Sequence, residues 1–242
     1  MGRYDNVEGI SKRTMVLFFL IDKSGSMYGS KIGAVNQAVR EVLPEIRDIA
    51  EDSADANIKV AALTFSTGAD WMYNSSIDAK DFLWIDVNAE GMTDMGQAFK
   101  MLNEKLSRTS GFMTDAAGSY APAIFLMSDG QPTDDYEKYL KQLKENNWFK
   151  ASIKAAIAIG DDADKKMLAD FTGNPECVLT VHTPEALRKL IRFVSVTASK
   201  IGSKSSNAAV DGTVQTKQDD FAQQIKDYKD INIDIECDDD WN

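Results

Sequence analysis

A doubly wound α/β fold is what the sequence predicts, with a mostly parallel central sheet of about six strands and helices on both faces. Three observations carry that expectation. Short unbroken apolar runs, Met15 to Ile21 and Ala123 to Met127 among them, stop abruptly at polar turns, as strands buried on both faces do. Segments with apolar residues at steps of three and four lie between those runs, and such alternation builds βαβ units. The 242 residues are enough for one sizeable core and a tail.

The first strand, Met15 to Ile21, ends at Asp22. Ile32, Val35, Val39, Val42, Ile46 and Ile49 then line one face of a helix, with Ser30 as its cap and Pro44 expected to kink or divide it. Ile58 to Ser66 reads as a second strand and Trp71 to Tyr73 as a short third one at an edge. Met95, Ala98, Phe99, Leu102 and Leu106 mark a second helix. A loop from Ser107 to Tyr120 leads into the strand that ends at Ser128, and Tyr136, Tyr139, Leu140 and Leu143 give a third helix. Ile153 to Ile159 is another buried strand, finishing in Gly160, Asp161 and Asp162. A short helix near Asp164 to Phe171, a strand near Val178 to Val181 and a last helix opening at Thr183 and Pro184 complete the series.

Three regions follow: an arm at 1–11, the α/β domain at 12–202 and an acidic, flexible tail at 203–242. The tail holds four Lys and ten Asp or Glu, and Asp234 to Asn242 contains no base. Two sharper readings of the tail stay open, a docking peptide around Trp241 for a basic partner and a carboxylate donor to a neighbouring chain's metal.

Composition excludes several classes. A net charge of −11 and a pI near 4.6 disfavour binding to phosphate backbones, and no Lys/Arg cluster interleaves with aromatics, so no nucleic-acid role is expected. Cys177 and Cys237 are too few for a disulfide scaffold or a zinc site and point to a reducing compartment. The apolar run at 15–21 is too short to span a bilayer, and the polar stretch before it lacks signal-peptide character. A cytoplasmic protein without membrane insertion is the expectation.

The chemistry sits where strands end. Asp22, Ser24 and Ser26 follow the first strand at alternating positions, so one carboxylate and two hydroxyls can converge on a point. Loops at the carboxyl edge of such a sheet are where open α/β folds bind ligands. Thr93 adds a hydroxyl just before the second helix, and Asp129 a second carboxylate after the strand ending at Ser128. Oxygen donors alone suit a hard divalent cation: Mg²⁺, or Mn²⁺ or Ca²⁺. Asp and Ser in a strand-to-helix turn also serve as caps, but three such segments in register are harder to explain that way.

Asp-x-Ser-x-Ser at 22–26, Thr93 within Gly91 to Gly96, and Ser128-Asp129-Gly130 resemble the metal-ion-dependent adhesion site of von Willebrand factor A (VWA) domains, matching its five positions in order. The strings at 22–27, 129–134 and 159–164 look most like those of bacterial stand-alone VWA proteins of the tellurite-resistance (TerY) type. The resemblance implies a Rossmann-like domain that binds a partner's Asp or Glu through a divalent metal held by Asp22, Ser24, Ser26, Thr93 and Asp129. It further implies an adaptor in a bacterial stress-response complex, for tellurite resistance or phage defence, beside kinase, phosphatase or tellurium-resistance partners. An adaptor for an AAA+ ATPase is the alternative.

Met27, Tyr28, Met92 and Asp94 would form the partner-binding rim, with Gly25 and Gly91 keeping the loops low. Asp161, Asp162 and Asp164 fit helix capping best, with a second cation site or an outer-sphere role as alternatives; Asp134 and Asp135 are read as caps of the third helix. His182, the only histidine, receives no function. An Asp after the first strand with Mg²⁺ also marks aspartyl-phosphate phosphatases. Those want a second carboxylate two residues on, where this chain has Ser24. No enzymatic activity is expected.

Overall fold

In the computed structural model, residues 12–54, 56–114, 118–202 and 216–231 are described. Seven strands form one sheet: β1 (Arg13–Asp22), β2 (Ala56–Ser66), β3 (Gly68–Trp71), β4 (Ile77–Asp78), β5 (Ala123–Ser128), β6 (Ile153–Ile159) and β7 (Val178–Val181). Their order is β3-β2-β1-β5-β6-β7, with β4 also pairing β2. β2, β1, β5, β6 and β7 run parallel, while β3 and β4 return antiparallel on the β2 side. The expected third strand is therefore placed earlier, because the chain turns back at once through Gly68 (φ +83°), and the two-residue β4 had no periodicity to reveal it.

Side chains along β1 alternate between two cores. Met15, Leu17, Phe19 and Ile21 face one, with α1 (Ser30–Asp52) and α6 (Pro184–Gly202); Val16, Phe18 and Leu20 face the other, with α2 (Met95–Lys105), α3 (Tyr136–Glu145) and α5 (Lys165–Thr172). That is the doubly wound arrangement, and it explains why β1 is apolar at every position from 15 to 21. A five-residue helix, α4 (Asn147–Ala151), capped by the Asn146 side chain, links α3 to β6.

Two local expectations are corrected in α1. Gly29, not Ser30, occupies the cap position. Pro44 neither divides the helix nor ends it: Pro44 is on the exposed face, where water can satisfy the freed Arg40 carbonyl, and buried Leu43 and Ile46 hold the chain on both sides of it.

The tail is also corrected in part. Within 203–242, expected to be flexible, Lys217–Ile231 form a helix, α7, against α6 and the start of β6. Phe221 and Ile225 are fully buried, and the Tyr228 ring stacks on Phe193 at 4.0 Å. Apolar side chains at steps of four and three give α7 a face that covers the first core. The remainder of the tail, including Cys237 and Trp241, and the arm at 1–11 lie outside the described residues. No helix among the described residues is long and apolar enough to cross a membrane.

Candidate metal centre

The order of the sheet reverses at β1, which has β2 on one side and β5 on the other, so a crevice opens at the carboxyl ends of β1 and β5. Register does the rest. Ile21 pairs with Met127, which sets Asp22 beside Ser128 and Asp129 just beyond.

Four of the five expected residues form one hydrogen-bonded chain. Asp22 Oδ1 accepts from the Ser24 amide at 2.8 Å, and Asp22 Oδ2 accepts from the Ser128 hydroxyl at 2.6 Å. The hydroxyls of Ser24 and Ser26 lie 3.1 Å apart, and Ser26 Oγ donates to Asp129 Oδ1 at 2.7 Å. Thr93 closes the ring from the other side. A Cβ built on Gly130 would lie 3.4 Å from Ser26 Oγ and 3.7 Å from Thr93 Oγ1, so both hydroxyls border the same small space.

Thr93 is held there by a reciprocal pair, its amide donating to Thr133 Oγ1 at 3.0 Å and its carbonyl accepting from the Thr133 amide at 2.9 Å. The first loop is pinned by the Gly25 amide on the Gly91 carbonyl at 3.0 Å. Gly91 has φ +75°, and a Cβ there would stand 2.6 Å from Thr67 Oγ1. Loop packing, rather than room for a partner, is thus what this glycine secures.

Asp22, Ser24, Thr93 and Asp129 are buried, whereas Ser26 is exposed. Ser26, Thr93 and Asp129 border an open cavity of about 500 Å³ that Lys31, Asp161 and Asp162 also help to line, while Asp22 and Ser24 lie behind them. Burial pushes the Asp22 carboxyl above its ordinary range, and hydrogen bonds from Ser128 and Ser24 pull it partly back. The charge of Asp129 adds a small push in the upward direction.

Lys31 escaped the sequence reading. Its ammonium lies 2.6 Å from Asp129 Oδ2, so both oxygens of that carboxylate are engaged. A lysine in the first turn of an amphipathic helix carries no motif signal, and only the fold reveals where it points.

The rim needs two corrections. Met27 is fully buried, because the 3₁₀ turn Gly25–Met27 folds it into the first core. Asp94 spends its carboxylate on the Gly68 amide at 2.7 Å and the Thr133 hydroxyl at 3.4 Å, which ties loops together. Tyr28 and Met92 are exposed, at 82% and 56%, on the two loops that Gly25 and Gly91 join.

Among the other acids, Asp164 caps α5 through the Met167 amide at 2.9 Å, as expected. Asp134 caps α2 instead of its own helix, accepting from the Gly96 and Gln97 amides, and Asp135 makes no side-chain cap bond. Asp161 and Asp162 reach the cavity, and His182 Nδ1 lies 3.8 Å from Asp161.

The donor set fits a hard divalent cation: two carboxylates and three hydroxyls, beside which the Lys31 nitrogen is an ammonium with no lone pair to give a metal. Among the described residues no group of three His, Cys, Asp or Glu is placed to hold a metal ion, so metal binding here depends on the hydroxyls.

Comparison with known proteins agrees with this architecture. The profile of the von Willebrand factor type A domain matches residues 17–193. A von Willebrand factor type A protein from Catenulispora acidiphila superposes with a TM-score of 0.57 at 18% identity, over 77% of this chain and 43% of that one. Proximal thread matrix protein 1 from the mussel byssus, solved with a zinc-occupied metal-ion-dependent adhesion site, gives 0.58 at 16% identity over 78% and 48%. The pilus adhesin SpaC from Lactobacillus rhamnosus GG gives 0.61 at 14% identity over 82% and 31%. At these identities the likeness is one of fold, and this chain spans less than half of each of those proteins. A sequence comparison with curated proteins finds no match.

Proposed function

The chain belongs to the von Willebrand factor type A family, whose domains are commonly metal-dependent interaction or adhesion modules, and from that premise we propose that it binds a partner protein's carboxylate through a divalent cation. Asp22, Ser24, Ser26, Thr93 and Asp129 would hold the ion, which would supply a Lewis-acidic position for an incoming oxygen. The observation that carries this reading is the ring of oxygens at the β1–β5 crevice, with two buried carboxylates, of which Asp129 stands at the edge of an open cavity. Five side chains contribute only two formal negative charges and cannot fill an octahedral shell, so a position is left for an external acid. Mg²⁺ is the ion we assign, with Mn²⁺ or Ca²⁺ as substitutes. Exposed Tyr28 and Met92 would receive the residues flanking the partner's Asp or Glu.

The finer reading is an adaptor in a bacterial stress-response complex of the tellurite-resistance or phage-defence kind, resting on the likeness of the strings at 22–27, 129–134 and 159–164 to TerY-type proteins. We propose a cytoplasmic binding module and no enzyme. A phosphatase would need an acid two residues after Asp22, where Ser24 instead puts its hydroxyl beside Ser26. Capture of partners from native lysate, in Mg²⁺ and in EDTA, tests the reading. A protein retained by wild type only with metal, and not by Asp22→Ala, is the expected result. Retention indifferent to EDTA and to the substitution would rule the site out as the binding surface, and aryl-phosphate turnover lost in Asp22→Asn would make it a phosphatase.

A further inference from the structure

Lys31 stands where helix energetics disfavour it. It is the second residue of α1, and a cation in the first turn opposes the helix dipole; no acidic residue shares that turn to offset it. Its side chain is 18% exposed and its ammonium meets a carboxylate whose side chain is fully buried. It is the one base among the residues lining the cavity, where Asp129, Asp161 and Asp162 supply acids. Ser26 already donates to Asp129 Oδ1, so Lys31 takes the oxygen that remains.

We propose that Lys31 is an internal cation that holds Asp129 in the absence of a divalent ion and competes with that ion for it. The inference rests on the reading of the crevice as a metal site and adds how that site is tuned. Within the hydrogen-bonded cluster Asp22 and Asp129 bring two negative charges and Lys31 one positive, so the cluster itself carries −1 without metal and +1 with a divalent ion, Asp161 and Asp162 lining the cavity without a hydrogen bond to it. The like charge of Lys31 weakens the metal, and a partner's carboxylate offsets the positive charge that the ion brings to that cluster. Metal and acidic partner therefore bind with positive coupling, each making the other's charge easier to accommodate. A domain of this kind holds its ion loosely when alone and firmly when engaged.

Titration calorimetry of Mn²⁺ into the full chain, in a carboxylate-free buffer, tests this on wild type, Lys31→Met and Lys31→Arg. Lys31→Met keeps the apolar stem and removes the charge, and it is expected to bind Mn²⁺ roughly tenfold more tightly. Lys31→Arg keeps the charge and is expected to stay near wild type. Lys31→Gln repeats the charge removal should the Met variant melt at a lower temperature without metal. Equal or weaker binding in the neutral variants, or an Arg variant as tight as the Met one, overturns the proposal. A silent wild type with a binding Lys31→Met would support it most strongly. Silence in wild type and every variant would instead sink the metal reading, and the inference with it.

Discussion

Two buried charges of opposite sign lie at opposite ends of the parallel sheet. At the carboxyl end, Asp22 is buried behind Asp129, which borders an open cavity and is met by Lys31. At the other end, Lys154, the second residue of β6, is 7% exposed, and its amine donates to the Phe149 carbonyl at 3.0 Å, the Ser152 carbonyl at 2.8 Å and the Ser152 hydroxyl at 3.4 Å. It also lies over the Phe149 ring. All three protons of the ammonium are thus used within the chain, and α7 seals that end. A buried charge whose hydrogen bonds are complete belongs to the fold, while the buried acids of the crevice are, on our proposal, completed by a cation from outside.

The two ends should come apart under mutation. Phe221→Ala removes a fully buried ring of α7 from the first core and is expected to lower unfolding free energy by about 3–5 kcal/mol. Mn²⁺ affinity of the folded protein should not change. Asp22→Asn should do the reverse, reducing Mn²⁺ affinity by roughly a hundredfold or more while leaving the metal-free melt unchanged or slightly higher, since a buried carboxylate is gone. If Phe221→Ala weakened metal binding as much as Asp22→Asn, the two ends would be one cooperative unit and the division would fail.

The second contrast is with pH. Burial pushes the Lys154 amine from its ordinary 10.5 down to about 8, with Cys177 acting weakly in the opposite sense. Between those values the unfolded chain binds more protons than the folded one, so stability rises as pH climbs from about 8 to 10.5 and is lost as pH falls back through 8. The span corresponds to something on the order of 3 kcal/mol. Denaturant titrations of wild type and Lys154→Met across that window should diverge by that amount, the variant being flatter. Parallel curves would mean the amine is not desolvated, and the two buried charges would lose their likeness.

How much of this was legible beforehand follows the same division. The strands β6 and β7 fall at the residues their apolar runs mark, and the three oxygen-bearing segments do meet at one crevice, because strand ends in a parallel sheet are set by short-range pattern. What pattern cannot show is which distant backbone a side chain serves. Asp134 sits next to α3 in sequence but caps α2, and Asp94 looks like a rim residue but ties β3 to the loop after β5. α7 carried a signal that its polar composition hid. Thr216 and Asp219 make a reciprocal capping box, the Asp219 amide donating to Thr216 Oγ1 and the Thr216 amide to Asp219 Oδ2. Phe221, Ile225 and Tyr228 follow at helical spacing, three apolar residues among many charges, enough for one narrow face.

The smallest expected effect concerns how α7 finishes the sheet. β7 begins opposite Ala156, so the amide and carbonyl of Lys154 point toward an edge that has no strand yet. Gln218 fills it: its Oε1 accepts from the Lys154 amide at 2.7 Å and its Nε2 donates to the Lys154 carbonyl at 3.1 Å. The same Nε2 reaches Cys177 Sγ at 3.1 Å, just before β7 starts. One carboxamide thus does for a single residue what a neighbouring strand would do. Gln218→Ala leaves both backbone groups without a partner and should cost about 1–2 kcal/mol, less than Phe221→Ala because water can reach part of the gap. Amide exchange at Lys154 should accelerate, while exchange at Ser24, whose amide is held by Asp22 at the far end, should not. Gln218→Glu keeps the acceptor but sets a carboxylate against the Lys154 carbonyl, so it should protect the amide and still lose stability. Unchanged exchange at Lys154 in the alanine variant would show that α7 is held by its apolar face alone.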